Sequence, residues 1–252
     1  SDLTLFPLSL LIQSQFNVLI PQAIMALFKP LVSAADSLPA ILLAVLIGHL
    51  LWFAGIHGAA IVSGMLQMFW LTNLGLNQTA LAQGAPLPHI FMEAFWTFFI
   101  VIGGSGATMG LVFCYLRSRS VHLRSIGRLS IVPSMFNINE PVIFGTPIVM
   151  NPVFFIPFLL APLVNAIIAW AAMKMDLIGR VISVVPWTAP APIGGAWALG
   201  WDFRAAILVV ILAVISAIIY YPFFKVYEKQ LLEQEAEEAD RKSTRLNSSH
   251  SS

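Results

Sequence analysis

Residues 131–151 read IVPSMFNINEPVIFGTPIVMN. The stretch is apolar enough for a bilayer, yet it carries Pro133, Pro141, Gly145 and Pro147. A proline inside a helix removes a backbone donor and clashes with the preceding turn. This density of breakers forbids an ordinary spanning helix. A second stretch, Val181–Gly200, reads VISVVPWTAPAPIGGAWALG and has the same character. Broken backbone at membrane depth persists only where protein or a wet cavity satisfies its free polar groups. Both stretches are therefore expected to be re-entrant hairpins, which enter the membrane and return to the side they left. Transporters build midplane sites this way. The competing reading is an apolar surface loop, and the number of Val, Ile and Phe speaks against it.

The rest of the chain supports a lipid solvent. Of 252 residues, 58% are hydrophobic and only 10% are charged, against about 45–50% and about 25% in soluble domains. So little polar surface cannot dissolve a globule. A spanning helix needs about 20 mostly apolar residues. Pro39–Ile56, Ile90–Leu116, Pro152–Met173 and Ala205–Phe224 qualify. Leu3–Ile20 and Ala59–Leu71 are weaker, and residues 22–35 suit an interfacial amphipathic helix. The expected fold class is all-α: polytopic transmembrane helices with two re-entrant hairpins.

Charge gives the orientation. Arg117, Arg119, Arg124 and Arg128 place their loop in the cytoplasm by the positive-inside rule. If 131–151 dips and returns, Pro152–Met173 crosses outward, 181–200 dips from outside, and Ala205–Phe224 crosses back. The charged tail from Lys225 then lies in the cytoplasm as a short solvated helix, while Lys174 and Arg180 fall outside. The domain reading is 1–230 for the membrane unit and 231–252 for a charged tail. The polar end from Arg241 reads as an artificial appendage and is left out of the fold.

Few ionisable groups sit at membrane depth, so each is a functional candidate. Glu140 follows Asn137 and Asn139 in the first broken stretch, and together they offer donors and acceptors for several hydroxyls. A structural carboxylate closing the hairpin is the plainer alternative. His57, between Gly55 and Gly58, is suited to bind a hydroxyl or move a proton, or simply to be satisfied locally. His49 reads as a packed polar group facing another helix. Trp187 and Trp197 suit either stacking on the flat face of a sugar or an interfacial belt. Glu93, Asp202 and Arg204 read as interfacial or paired charges, and Cys114 as an inert buried thiol. Gly103-Gly104-Ser105-Gly106 reads as close packing within an apolar helix. The sequence has no phosphate loop, no metal-ligand spacing, no cofactor motif and no basic-aromatic patch for nucleic acid.

Four blocks carry a resemblance. They are Trp52-Phe53-Ala54-Gly55-Ile56-His57-Gly58, then Asn137-Ile138-Asn139-Glu140-Pro141-Val142-Ile143-Phe144-Gly145, then Pro147 to Pro152, and Pro186-Trp187 with Pro192-Ile193-Gly194-Gly195. In order and spacing they resemble enzyme IIC, the membrane permease of the lactose/cellobiose/diacetylchitobiose phosphotransferase family, over about residues 1–230. The resemblance implies the C-terminal, substrate-binding half of a bacterial inner-membrane permease, with an oligomerising N-terminal half absent and a homodimer formed through it. It implies a disaccharide substrate and a phosphorylated enzyme IIB component as partner, its phosphoryl group carried on a cysteine. It assigns His57 and Glu140 to the hydroxyl that receives phosphate. Ala59-Ala60 depart from the polar residue that many members carry there. Read without the resemblance, the same Glu140 and His57 also suit a proton-coupled secondary transporter.

Overall fold

The computed structural model describes residues 7–8, 10–15 and 36–250. Of the weak span Leu3–Ile20 only 7–8 and 10–15 are described, and they are helical. The proposed interfacial helix at 22–35 lies outside the described residues. Among the described residues all regular structure is helical. Three of the described helices are long and apolar enough to cross a membrane: Gly58–Ala82, Pro152–Lys174 and the long C-terminal helix.

Helix α1 spans Leu38–Phe53, with Ser37 accepting from the Ala40 N–H at its start and Pro39 in its first turn. Its 16 residues reach about 24 Å at 1.5 Å per residue, shorter than the span expected for Pro39–Ile56. The chain leaves the helix at Ala54 and turns through Gly55 at φ 77°. Helix α2, Gly58–Ala82, is longer than the weak span read at Ala59–Leu71. Polar residues at 63, 67, 72 and 73 dilute its hydropathy, but it buries only the stripe Val62, Leu66, Trp70, Asn73, Leu74 and Asn77. Within that stripe Asn73 donates to the Phe91 carbonyl, and Asn77 to those of His89 and Val181. These amides serve backbone that has no helix of its own.

The largest departure from expectation falls in Ile90–Leu116. It is not one span. Helix α3, Glu93–Phe95, passes into a π-helical turn at Trp96–Ile100, and the chain then leaves the helix until α4, Met109–Leu116. Gly103, Gly104 and Gly106 in the gap have φ of 81°, 114° and 82°. These glycines break the helix rather than pack it. Asn165 of α7 satisfies the orphaned Ile100 carbonyl at 3.1 Å.

Helix α5, Val121–Met135, starts at the Ser120 cap, so Arg124 and Arg128 ride on a helix and not in the arginine loop. Pro133 lies in its last turn, and the chain breaks at Phe136–Asn139 before α6, Glu140–Gly145. A Cβ on Gly145 would sit 3.1 Å from Ile126, so the returning limb lies beside the entering one. The second stretch also doubles back. Its extended limb meets the end of α8, Ala191–Ala198, where the Ile182 N–H donates to the Ala198 carbonyl at 2.8 Å.

Between the hairpins runs α7, Pro152–Lys174, capped by Asn151. Helix α9, Phe203–His250, is 48 residues long, about 72 Å. It continues unbroken from its apolar part into the charged part. One face of that charged part is not solvated: Glu228 is 4% exposed and accepts from the Ser118 hydroxyl, the Arg119 N–H and Lys225. Glu235 likewise accepts from Ser120 and the His122 N–H. The arginine loop is thereby latched to α9. Two apolar clusters form the core, one around Trp70, Phe95, Phe98 and Phe99, the other around Tyr115, Phe154, Phe158 and Tyr220. The glycine break at 101–108 crosses from the first to the second.

Candidate functional site

Three breaks in helical structure converge: the glycine loop 101–108, the first hairpin tip at 136–139, and the second tip at 187–189. Asn137 joins all three. Its Oδ1 accepts from the Gly103 N–H at 3.2 Å, and its Nδ2 donates to the carbonyls of Trp187 (2.7 Å) and Ala189 (2.9 Å). The residue adopts φ 62°, a left-handed conformation that Asn tolerates better than most side chains. Asn139 donates to the Ser105 carbonyl at 2.7 Å and to the Thr108 hydroxyl at 3.1 Å. Away from water each unsatisfied backbone group costs several kcal/mol, so these two amides make the breaks tenable.

Above this floor opens a cavity of about 370 Å³, within the range of small-ligand sites. Trp52, Trp96 and Trp187 give it flat apolar walls, while His57, Glu93, Ser105, Asn139 and Glu140 supply polar groups. Of the six residues singled out from sequence, five line this cavity: His57, Asn137, Asn139, Glu140 and Trp187. Trp197 does not. It is half-buried and stacked on Trp201, with ring centroids 5.9 Å apart and planes 7° from parallel.

Glu140 stands on the first turn of α6 with its side chain exposed to the opening. It makes no hydrogen bond or ion pair with any described residue, so it does not close the hairpin; Asn137 and Asn139 instead tie the tip to the glycine loop and to the second stretch. His57 caps α2 through Nδ1, which accepts from the Ala60 N–H at 3.2 Å. A neutral ring whose Nδ1 accepts carries its proton on Nε2. The cap therefore leaves an Nε2 donor, with the ring packed 4.5 Å from Trp52.

Some lining residues were not anticipated. Glu93 is half-buried between this cavity and a smaller one of about 120 Å³, with Gln67 donating to its carboxylate at 3.5 Å. Ser63, Thr97, Gly104 and Ser105 also face the site. The signal for the last two was the run of three glycines in four positions. Ala59 and Ala60, where the sequence departs from the resemblance, line the cavity too. Among the described residues no cluster of His, Cys, Asp or Glu forms a metal centre.

Comparison with known proteins extends this picture. The family model described as "Phosphotransferase system, EIIC" matches residues 3–162. The lichenan permease IIC component of Bacillus subtilis (strain 168) is 40% identical over 208 residues, covering 82% of this chain and 46% of that protein. The lactose-specific EIICB component of Staphylococcus aureus (strain N315) is 37% identical over 232 residues, covering 92% of this chain and 41% of that one. Among solved structures, the transporter ChbC, the IIC component of an N,N'-diacetylchitobiose-specific phosphotransferase system, superposes with a TM-score of 0.79 at 40% identity. That match covers 84% of this chain and 49% of ChbC. The chain spans less than half the length of each of these proteins.

Proposed function

We propose, from the premise that this chain belongs to the phosphotransferase system EIIC family, that it is the sugar-binding part of a permease whose substrate is phosphorylated as it crosses. Members of this family are membrane proteins, and we place this one in the bacterial cytoplasmic membrane with the arginine loop inside. The substrate is a disaccharide of the lactose, cellobiose or diacetylchitobiose kind; lactose and diacetylchitobiose are the sugars named for two of its relatives. Residues 1–230 form the substrate-binding unit. The further length of the relatives accommodates a half through which the permease forms a homodimer.

One observation carries the reading: an unpartnered carboxylate, Glu140, and a free imidazole donor, His57 Nε2, face one cavity walled by tryptophans. Trp187, 52% exposed, offers a face to a sugar ring. Asn139, with Oδ1 unpartnered among the described residues, and the hydrogen-bonded Asn137 frame the hydroxyl-binding edge. The catalytic step assigned to the site is transfer from phosphorylated EIIB. The sugar hydroxyl oxygen bonds to phosphorus, the phosphorus–sulfur bond of the phosphocysteine breaks, and the sulfur leaves as thiolate. Glu140 accepts the hydroxyl proton, and His57 orients the hydroxyl.

Family membership sets aside the proton-coupled alternative for the same two residues. General-base assistance is worth about 10²–10⁴-fold in rate. Glu140→Gln should retain equilibrium sugar binding yet lose phosphoenolpyruvate-dependent phosphorylation by about that factor. The assay pairs the permease with its EIIB component. Normal transfer at saturating sugar would leave Glu140 as a binding residue only.

A further inference from the structure

His49 is buried in α1, 1% exposed, and is not part of the cavity wall. Both of its ring nitrogens are nevertheless engaged. Nδ1 lies 2.7 Å from the Val45 carbonyl, which can only accept, so Nδ1 carries a proton. Nε2 lies 2.9 Å from the Gly106 nitrogen, whose N–H can only donate, so Nε2 offers its lone pair. The two backbone groups therefore select the neutral imidazole and one tautomer. Phe158, edge-on at 5.3 Å, packs against the ring.

The contact matters because of where Gly106 lies. Its carbonyl accepts from the Tyr220 hydroxyl at 2.6 Å, so α1 holds the residue at its N–H and α9 at its C=O. One residue earlier, the Ser105 carbonyl receives the amide of Asn139. Gly104 and Ser105 face the cavity. A Cβ on Gly106 would come within 2.3 Å of Phe158, so the loop is also fitted closely from behind.

We propose that His49 is a positioning residue for the sugar site: by accepting the Gly106 N–H it fixes the loop 101–108, against which Asn137 and Asn139 hold the hairpin tip that presents Glu140. The proposal rests on the reading of the large cavity as the sugar site. On this view α1 acts twice. It leads at its C-terminal end to His57 on one wall, and through His49 it secures the floor. A packed polar group with no further role would need any partner; His49 has a backbone N–H of the glycine break, and so ties α1 to it.

The test uses the protein purified in detergent, with hydrogen–deuterium exchange of residues 101–108 and equilibrium binding of a panel of disaccharides. His49→Leu fills similar space but leaves the Gly106 N–H unpaired. Exchange at 101–108 should rise and sugar affinity fall, each about tenfold. His49→Gln, whose Oε1 stands near the position of Nε2, should keep both within about threefold. Unchanged protection in a folded His49→Leu protein overturns the proposal, as does a Gln variant as defective as the Leu variant. If His49→Leu does not fold, the nitrogen spectrum of labelled histidine in the parent protein decides. An unprotonated Nε2 and a protonated Nδ1 at His49 support the proposal, and the opposite tautomer refutes it. A parent protein that binds no disaccharide refutes the cavity reading, while exchange at 101–108 still reports whether His49 holds the loop.

Discussion

The two breaks that meet beneath the cavity are built from opposite materials. At 136–139 the chain is rich in side-chain hydrogen-bonding groups: Asn137 and Asn139 project amides, and Pro141 starts the next short helix. At 101–108 it is nearly bare, with Gly103, Gly104 and Gly106 exposing N–H and C=O groups. Each supplies what the other lacks. The asparagines donate to and accept from the glycine loop, and the missing Cβ atoms let the amides approach. The lesson is that a site at membrane depth needs one segment that gives hydrogen bonds and another thin enough to receive them.

Substitutions at three positions probe that complementarity, beginning with the glycine whose Cβ would meet Asn139. Gly104 has φ 114°, and a Cβ there would lie 2.4 Å from the Asn139 amide carbon. Gly104→Ala combines backbone strain of about 1–3 kcal/mol with overpacking of about 1–3 kcal/mol, so a loss near 4 kcal/mol is expected. Thermal unfolding in detergent measures it. A variant as stable as the parent would mean that the two breaks are not in contact in the folded protein.

Asn137→Gly removes the amide while keeping a residue at ease with φ 62°. Three backbone groups lose their partner, and the expected cost is about 2–3 kcal/mol. Asn137→Ala should cost about 1–2 kcal/mol more, because an L-residue with a Cβ resists left-handed backbone. Equal stabilities for the Gly and Ala variants would remove conformation from the account and leave only the amide's bonds.

The smallest effect has the opposite sign. Gly75 lies inside α2 with no atom within 4 Å of its would-be Cβ, and its φ is not positive. Gly75→Ala should stabilise by about 0.5–1 kcal/mol through helix propensity alone. A loss of stability there would show that glycines matter on α2 as well, and the contrast with 101–108 would dissolve.

Much of the fold was legible. The helical class, the apolar helices, the doubling back of both broken stretches and the gathering of five of the six candidate residues around one cavity follow from hydropathy, from Pro and Gly density and from the Asn-Glu-Pro block. Other readings change with the structure. Uniform hydropathy over Ile90–Leu116, with its glycines read as helix packing, gives one span, but the chain leaves the helix between Ile100 and Met109. The alternative of Glu140 as a hairpin clasp falls because no described residue bonds it, while the neutral asparagines beside it tie the tip to the other two breaks. Trp197 resembles Trp187 in composition and setting, but its helix aims it at Trp201 and away from the cavity.

A helix satisfies its own backbone four residues away, so the sequence alone determined that the chain is helical and that the solvent around it is lipid. A break satisfies nothing locally. Whether Gly103-Gly104-Ser105-Gly106 stays helical depends on groups 34 to 114 residues distant along the chain: His49, Asn137, Asn139 and Tyr220. Without them the unpaired backbone would cost too much in lipid; with them the loop opens and the cavity has a floor. Tertiary structure therefore decided the third break, the tautomer of His49 and which carboxylate was left free, because each depends on a partner that only folding brings within 3 Å or so of the group it completes.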